Sequence, residues 1–127
     1  MSTWPTSIGA ITLFSEDIAA SKAFYLKVFG QPIIYENEDS AVFKIGSTMI
    51  NLLLISQANE LIEPAKVGAR DAVSRIVFSV EVDDVDAMCV KLAGLGVKLL
   101  NGPMDRPWGI RTASFCDPSG HIWEIGK

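Results

Sequence analysis

The chain repeats itself, and that repeat constrains its fold more than any other feature. An offset of 67 residues lays Asp17 on Asp84, Ile18 on Val85, Ala20 on Ala87, Ile11 on Phe78 and Leu13 on Val80. The match is in pattern more than in identity, yet it carries a strand, an acidic cap and a helix together. In the first copy, residues 8–14 read as a strand and Ser15-Glu16-Asp17 as a helix cap favoured by the dipole. Ile18, Tyr25, Val28 and Phe29 then recur at helical spacing up to Gly30, a natural stop. Strands are expected over 32–35, 41–45 and 48–55, with Gly46-Ser47 as the hairpin between the last two.

Residues 56–73 hold Asn59, Pro64, Gly68 and mixed charges, and read as a connecting loop. The order then returns. Residues 76–82 alternate as a strand, Asp83-Asp84 caps a helix, and Val85, Met88, Cys89, Leu92 and Leu95 form its apolar stripe before Gly96. Strands follow over 97–100, 109–116 and 121–125, separated by the turns Asn101-Gly102-Pro103 and Asp117-Pro118-Ser119-Gly120. The fold class is α+β: a tandem βαβββ arrangement in one domain, with module one at about 6–56, a loop at 57–73 and module two at about 74–127. Such sheets bury one face under a helix and leave the other free to curl around a ligand.

Composition removes several classes of function. With 127 residues, 49% hydrophobic and 20% charged, the chain is one folded domain. Eleven basic residues against fifteen acidic ones give a charge of −4, and the basic ones are scattered, so nucleic acid is not an expected partner. The apolar run 49–55 is too short to cross a bilayer, and no signal peptide is visible. Cys89 and Cys116 fit no ligand spacing, and a reduced cytoplasmic location is expected. With His121 the only histidine, one chain cannot build a His-based metal triad.

Strand parity sorts the side chains. Ile11 and Leu13, then Phe78, Val80 and Val82, then Trp123 and Ile125, face the helices. The opposite face takes Ala10, Thr12 and Phe14; Met49, Asn51 and Leu53; Val77, Ser79 and Glu81; Thr112, Ser114 and Cys116; and Ile122 and Glu124. Both faces of the fourth strand are apolar apart from Asn51, so parity there is ambiguous by one residue. The open face is small and lightly polar. A solvated face would carry more Lys and Glu.

Glu16-Asp17 with Phe24-Tyr25 and Val28-Phe29-Gly30 resembles the opening of the vicinal oxygen chelate superfamily, as does 80–87. The close, Arg106-Pro107-Trp108-Gly109 followed by Phe115-Cys116-Asp117-Pro118-Ser119-Gly120-His121-Ile122-Trp123-Glu124-Ile125, resembles the ending of glyoxalase, bleomycin-resistance and ring-cleaving dioxygenase proteins. The resemblance implies paired βαβββ modules forming an open, barrel-like cup, and a homodimer that completes two cups. It also implies metal-ligand positions at Ala10, Asn51 (Ile50 in the other parity), Val77 and Glu124. Ala10 and Val77 have no donor atoms and an amide oxygen is a weak donor, so a metal centre is not expected.

The expected activity is therefore metal-free binding of a small organic molecule, aromatic or cationic, with no cofactor. Thr12, Asn51, Thr112, Ser114 and Glu124 are the candidate polar contacts and Trp108 the candidate stacking face. Glu124 is also the candidate catalytic acid or base of an alternative, a glyoxalase-type lyase or isomerase with weak or no metal. The bland readings are a Glu124 paired within the dimer and a Trp108 packed in it; a third possibility is a vestigial cup in a structural module. Phe14 and Phe43 are possible lining aromatics whose commoner fate is the core. His121 reads as a turn residue with no evident acid partner, Arg111 as an ion-pairing residue on the helix side, and Cys116 as an inert thiol.

Overall fold

The computed structural model describes residues 4–127. It divides into two compact units, one running to Gly68 and the other covering Ala69–Lys127. In module one, β1 (Ala10–Ser15) leads to α1 (Ile18–Phe29), then β2 (Tyr35–Glu36), β3 (Ser40–Ile45) and β4 (Thr48–Leu54), followed by α2 (Ile55–Ile62). Module two has β5 (Val77–Glu81), α3 (Val85–Gly94), β6 (Leu99–Asp105), β7 (Arg111–Cys116) and β8 (Ile122–Gly126). Each module holds one open four-stranded mixed sheet, in the orders β1-β4-β3-β2 and β5-β8-β7-β6. In each, the first strand pairs parallel with the last and the remaining pairs are antiparallel.

The repeat extends to single hydrogen bonds. Asp17 accepts the Ala20 N–H at 3.1 Å, and Asp84 accepts the Ala87 N–H at 3.0 Å. Each carboxylate fills one of the donors that a helix start leaves open. Gly30, at φ 68°, closes α1 in the left-handed conformation that glycine reaches without strain. The β3–β4 hairpin has positive φ at Gly46 and not at Ser47, the pattern of a two-residue type II′ loop.

Each helix covers its own sheet. Phe24, Tyr25 and Val28 of α1 are buried with Leu13, Phe43, Ile50 and Leu52. The Tyr25 ring stands 5.2 Å from Phe43 and 5.2 Å from Phe24, the latter edge to face. In module two, Val85, Cys89 and Leu92 are buried with Ala113, Phe115, Trp123 and Ile125, and Trp123 lies 5.2 Å from Phe78. Full burial of one such side chain stabilises the fold by about 1.5–3 kcal/mol.

Three expectations need correction. The segment 56–73 is not all loop: α2 runs into it and ends at Ile62, because Pro64 disfavours helical backbone at Glu63. Ala58 of α2 is buried, and no side chain caps its N-terminus, so the usual start signal is missing. The strand expected over 32–35 is instead the two-residue Tyr35–Glu36, one residue later; Pro32 has no N–H to give a ladder, and Ile34 gives its N–H to Val42 at 2.8 Å. Asn101-Gly102-Pro103 is not a turn but part of β6, where the register with β7 shifts on either side of Asn101. Gly102 is required there: its φ is 86°, and a Cβ would stand 2.5 Å from the Thr112 carbonyl oxygen.

Candidate functional site

Strand pairing lines up a polar row across the module-two sheet. Asn101 of β6 lies opposite Ser114, Ser114 opposite Glu124, and Glu124 opposite Ser79. Residues opposed in register share a face, so these four side chains sit on the face away from α3. The Ser79 hydroxyl donates to Glu124 Oε1 at 2.8 Å and orients the carboxylate. Glu124 and Ser79 border an open cavity of about 420 Å³ that Glu81, Ile110 and Lys127 also line. That volume suits a small organic molecule. Lys127 stands 3.9 Å from Glu81 at the exposed end.

The corresponding row in module one is Thr12, Asn51, Val42 and Tyr35. Ile50 and Leu52 are buried, which settles the parity of β4 and puts Asn51 on the open face. Its amide donates to Thr12 Oγ1 at 3.5 Å. Ala10 pairs with Met49 and Val77 with Ile122.

Thr112 is fully buried, and its hydroxyl accepts from Arg106 Nε at 2.8 Å. Ser114 is buried. Trp108 is 68% exposed, and the Arg106 guanidinium carbon lies 6.0 Å from its ring centre. Phe43 is core and Phe14 half-buried. Arg111 forms the expected ion pair, with Asp86 on α3 at 2.9 Å and with Asp105 at 3.1 Å. The hydrogen bonds from Arg111 hold the Asp86 carboxyl below the usual range.

His121 does have an acid partner, contrary to expectation. Its Nδ1 lies 2.8 Å from Oδ2 of the buried Asp117. The Asp117 carboxylate also accepts the N–H groups of Ser119 and His121, each at 2.9 Å. Those bonds close the turn, so Asp117 is spent on folding the turn and on orienting the imidazole. Burial, and then the charge of Asp117, push the Cys116 thiol up, away from the reactive thiolate.

Sequence reading missed Arg106 and Asn101 as site residues. Arg106 gives its second bond to Asn101 Oδ1 at 3.0 Å. It stood in the quoted ending motif, but its direction depends on a tight turn in which Gly109 N–H reaches the Arg106 carbonyl at 3.0 Å.

The Glyoxalase/Bleomycin resistance protein/Dioxygenase superfamily matches residues 7–125. The chain belongs to that superfamily. It is 37% identical over 121 residues to the uncharacterized protein YraH of Bacillus subtilis, covering 92% of this chain and 94% of that one. It is 29% identical over 114 residues to the metallothiol transferase FosB of Bacillus licheniformis, covering 89% and 70%. Among solved structures, a lactoylglutathione lyase from Agrobacterium tumefaciens superposes with TM-score 0.76 at 25% identity, covering 96% of this chain and 93% of its own. A glyoxalase-related enzyme from Fulvimarina pelagi gives TM-score 0.83 at 24% identity, covering 96% and 88%.

Membership in this superfamily raises the question of a metal, and the donor set here does not fit one. At the implied positions, Ala10 and Val77 offer no donor atoms, Asn51 offers only an amide oxygen, a weak donor, and Glu124 alone offers a carboxylate. Among the described residues, no group of three or more His, Cys, Asp or Glu side chains could hold an ion. A divalent transition metal left to one carboxylate and water is bound weakly.

Proposed function

We propose that this superfamily member is a metal-independent small-molecule-binding protein, acting as a cytoplasmic homodimer. Its ligand is a small organic compound with a ring for Trp108 and a hydrogen-bond donor or cationic group for Glu124. The observation that carries the reading is the emptied donor set combined with a surviving carboxylate at the edge of an open cavity of about 420 Å³. Thr12 and Asn51 give module one's face a neutral polar character, and Ser79 keeps Glu124 oriented for a donor. Thr112 and Ser114 complete the polar lining as supports beneath the contacting groups.

The names of the relatives favour a second reading, a glyoxalase-type lyase or isomerase in which Glu124 moves a proton. One experiment separates the two. Chelator-treated protein is screened by thermal shift against aromatic and cationic compounds. A binder of the folded state raises the midpoint by mass action, and Trp108→Ala and Glu124→Gln each weaken it. Turnover of a 2-oxoaldehyde–thiol adduct, abolished in Glu124→Gln, would replace the binding reading with the enzymatic one.

A further inference from the structure

We infer that Arg106 is an anion-recognition residue: the ligand carries a carboxylate or comparable oxyanion at the Arg106 end of the polar row. This deepens the small-molecule reading and rests on it. The Arg106 side chain is half-buried in the connection after β6. Its backbone is fixed by an N–H bond to the Ile110 carbonyl at 2.7 Å. Its guanidinium is fixed by Nε to Thr112 Oγ1 at 2.8 Å and by Nη2 to Asn101 Oδ1 at 3.0 Å.

Both acceptors are neutral. A guanidinium has five N–H donors, and these contacts use two. The donors left over lie on Nη1 and Nη2, the pair that grips a carboxylate in fork geometry. Among the described residues no carboxylate pairs with Arg106.

Arg111 provides the internal contrast. Its Nε and Nη2 hold both oxygens of Asp86 at 3.0 and 2.9 Å, and its Nη1 holds Asp105 at 3.1 Å. That guanidinium is neutralised by two carboxylates on the helix side of the sheet. Arg106 is held on the other side by two bonds to neutral groups, and no carboxylate among the described residues neutralises it. Its side-chain entropy is already lost, so an incoming anion need not order it.

The placement of Glu124 agrees. It stands two strands from Asn101 along the row, roughly 10 Å at ordinary strand spacing. That separation keeps Glu124 from cancelling Arg106 and leaves room for a ring between an anionic and a cationic end. The exposed Trp108 ring beside the guanidinium supplies the flat face.

The test uses three matched probes: indole-3-acetate, indole-3-acetamide and tryptamine. Each is titrated into isotope-labelled full-length protein while the Arg106 Nε–H and Trp108 indole N–H resonances are followed. The acetate is expected to bind roughly tenfold tighter than the amide and to move the Arg106 resonance. Arg106→Gln removes that preference, Arg106→Lys keeps part of it, and Arg111→Gln leaves it intact. The wild-type resonance shift is a readout that does not depend on any variant folding. Equal affinity for acetate and amide, or a preference that survives Arg106→Gln, overturns the assignment and leaves the small-molecule reading standing. No response to any probe up to roughly 10 mM overturns both for ligands of this class.

Discussion

The two modules share one scaffold and differ in what they place on it. Strand order, the parallel closing pair and the aspartate cap are the same in both. At matching row positions, Thr12 corresponds to Ser79 and Asn51 to Glu124. Module one thus presents a neutral amide–hydroxyl pair, whereas module two presents a carboxylate, with a cation farther along its row. The shared features are those that secondary structure demands; the differences lie on the face that packing leaves free. Repetition keeps the frame, and the carboxylate of the polar row stands on one copy of it.

The largest effects come from breaking each core. Trp123→Ala and Phe43→Ala each remove a fully buried ring and should cost about 3–5 kcal/mol in urea unfolding. A loss under 1 kcal/mol at either would mean that module's core is not organised around its ring.

The caps sharpen the equivalence. Asp17→Ala and Asp84→Ala should each lose about 1 kcal/mol, by the same amount within error, because both carboxylates accept one N–H at nearly the same distance. Unequal losses in parallel melts would show that the modules are alike in outline only.

Two smaller effects belong to module two alone. The folded-state pKa of Asp86 is lowered, so its pairing stabilises the fold above the usual carboxylate range and is lost as pH falls through the lowered value. Arg111→Gln should therefore lower the melting midpoint slightly at neutral pH, and the gap should close in acid. The thiols of Cys89 and Cys116 are both raised, chiefly by burial, so less thiolate is present at a given pH. Iodoacetamide should label them more slowly at pH 8 than a free cysteine, and the rate should climb only at higher pH. Labelling as fast as free cysteine would mean the thiols are open to water.

Most of the frame was legible in the residues because it rests on local rules. Alternation set the faces of β1, β5 and β8, and Asp-capped apolar spacing set α1 and α3. Gly46-Ser47 marked the hairpin because its first position needs positive φ. The failures have equally local causes. The helix α2 has no capping side chain, and β6 carries a Gly-Pro that reads as a turn but forms a bulge. The open face of the sheets was legible where strand parity governs it, at Thr12, Ser114 and Glu124, while Asn51 needed the burial of Ile50 and Leu52 to settle it. It was not legible where side chains meet through a turn. Arg106 reaches Thr112 and Asn101 only because the 106–110 turn folds it back over β7, and Asp117 meets His121 in the same way.

The module-two carboxylate is proposed to serve a ligand without a metal. The most direct test is a titration of chelator-treated protein with nickel, manganese, iron, cobalt and zinc, reading the thermal midpoint and the bound metal together. No saturable shift and no stoichiometric metal are expected. A saturable shift with micromolar or tighter affinity, lost in Glu124→Ala, would contradict that proposal and put a metal-dependent enzyme in its place.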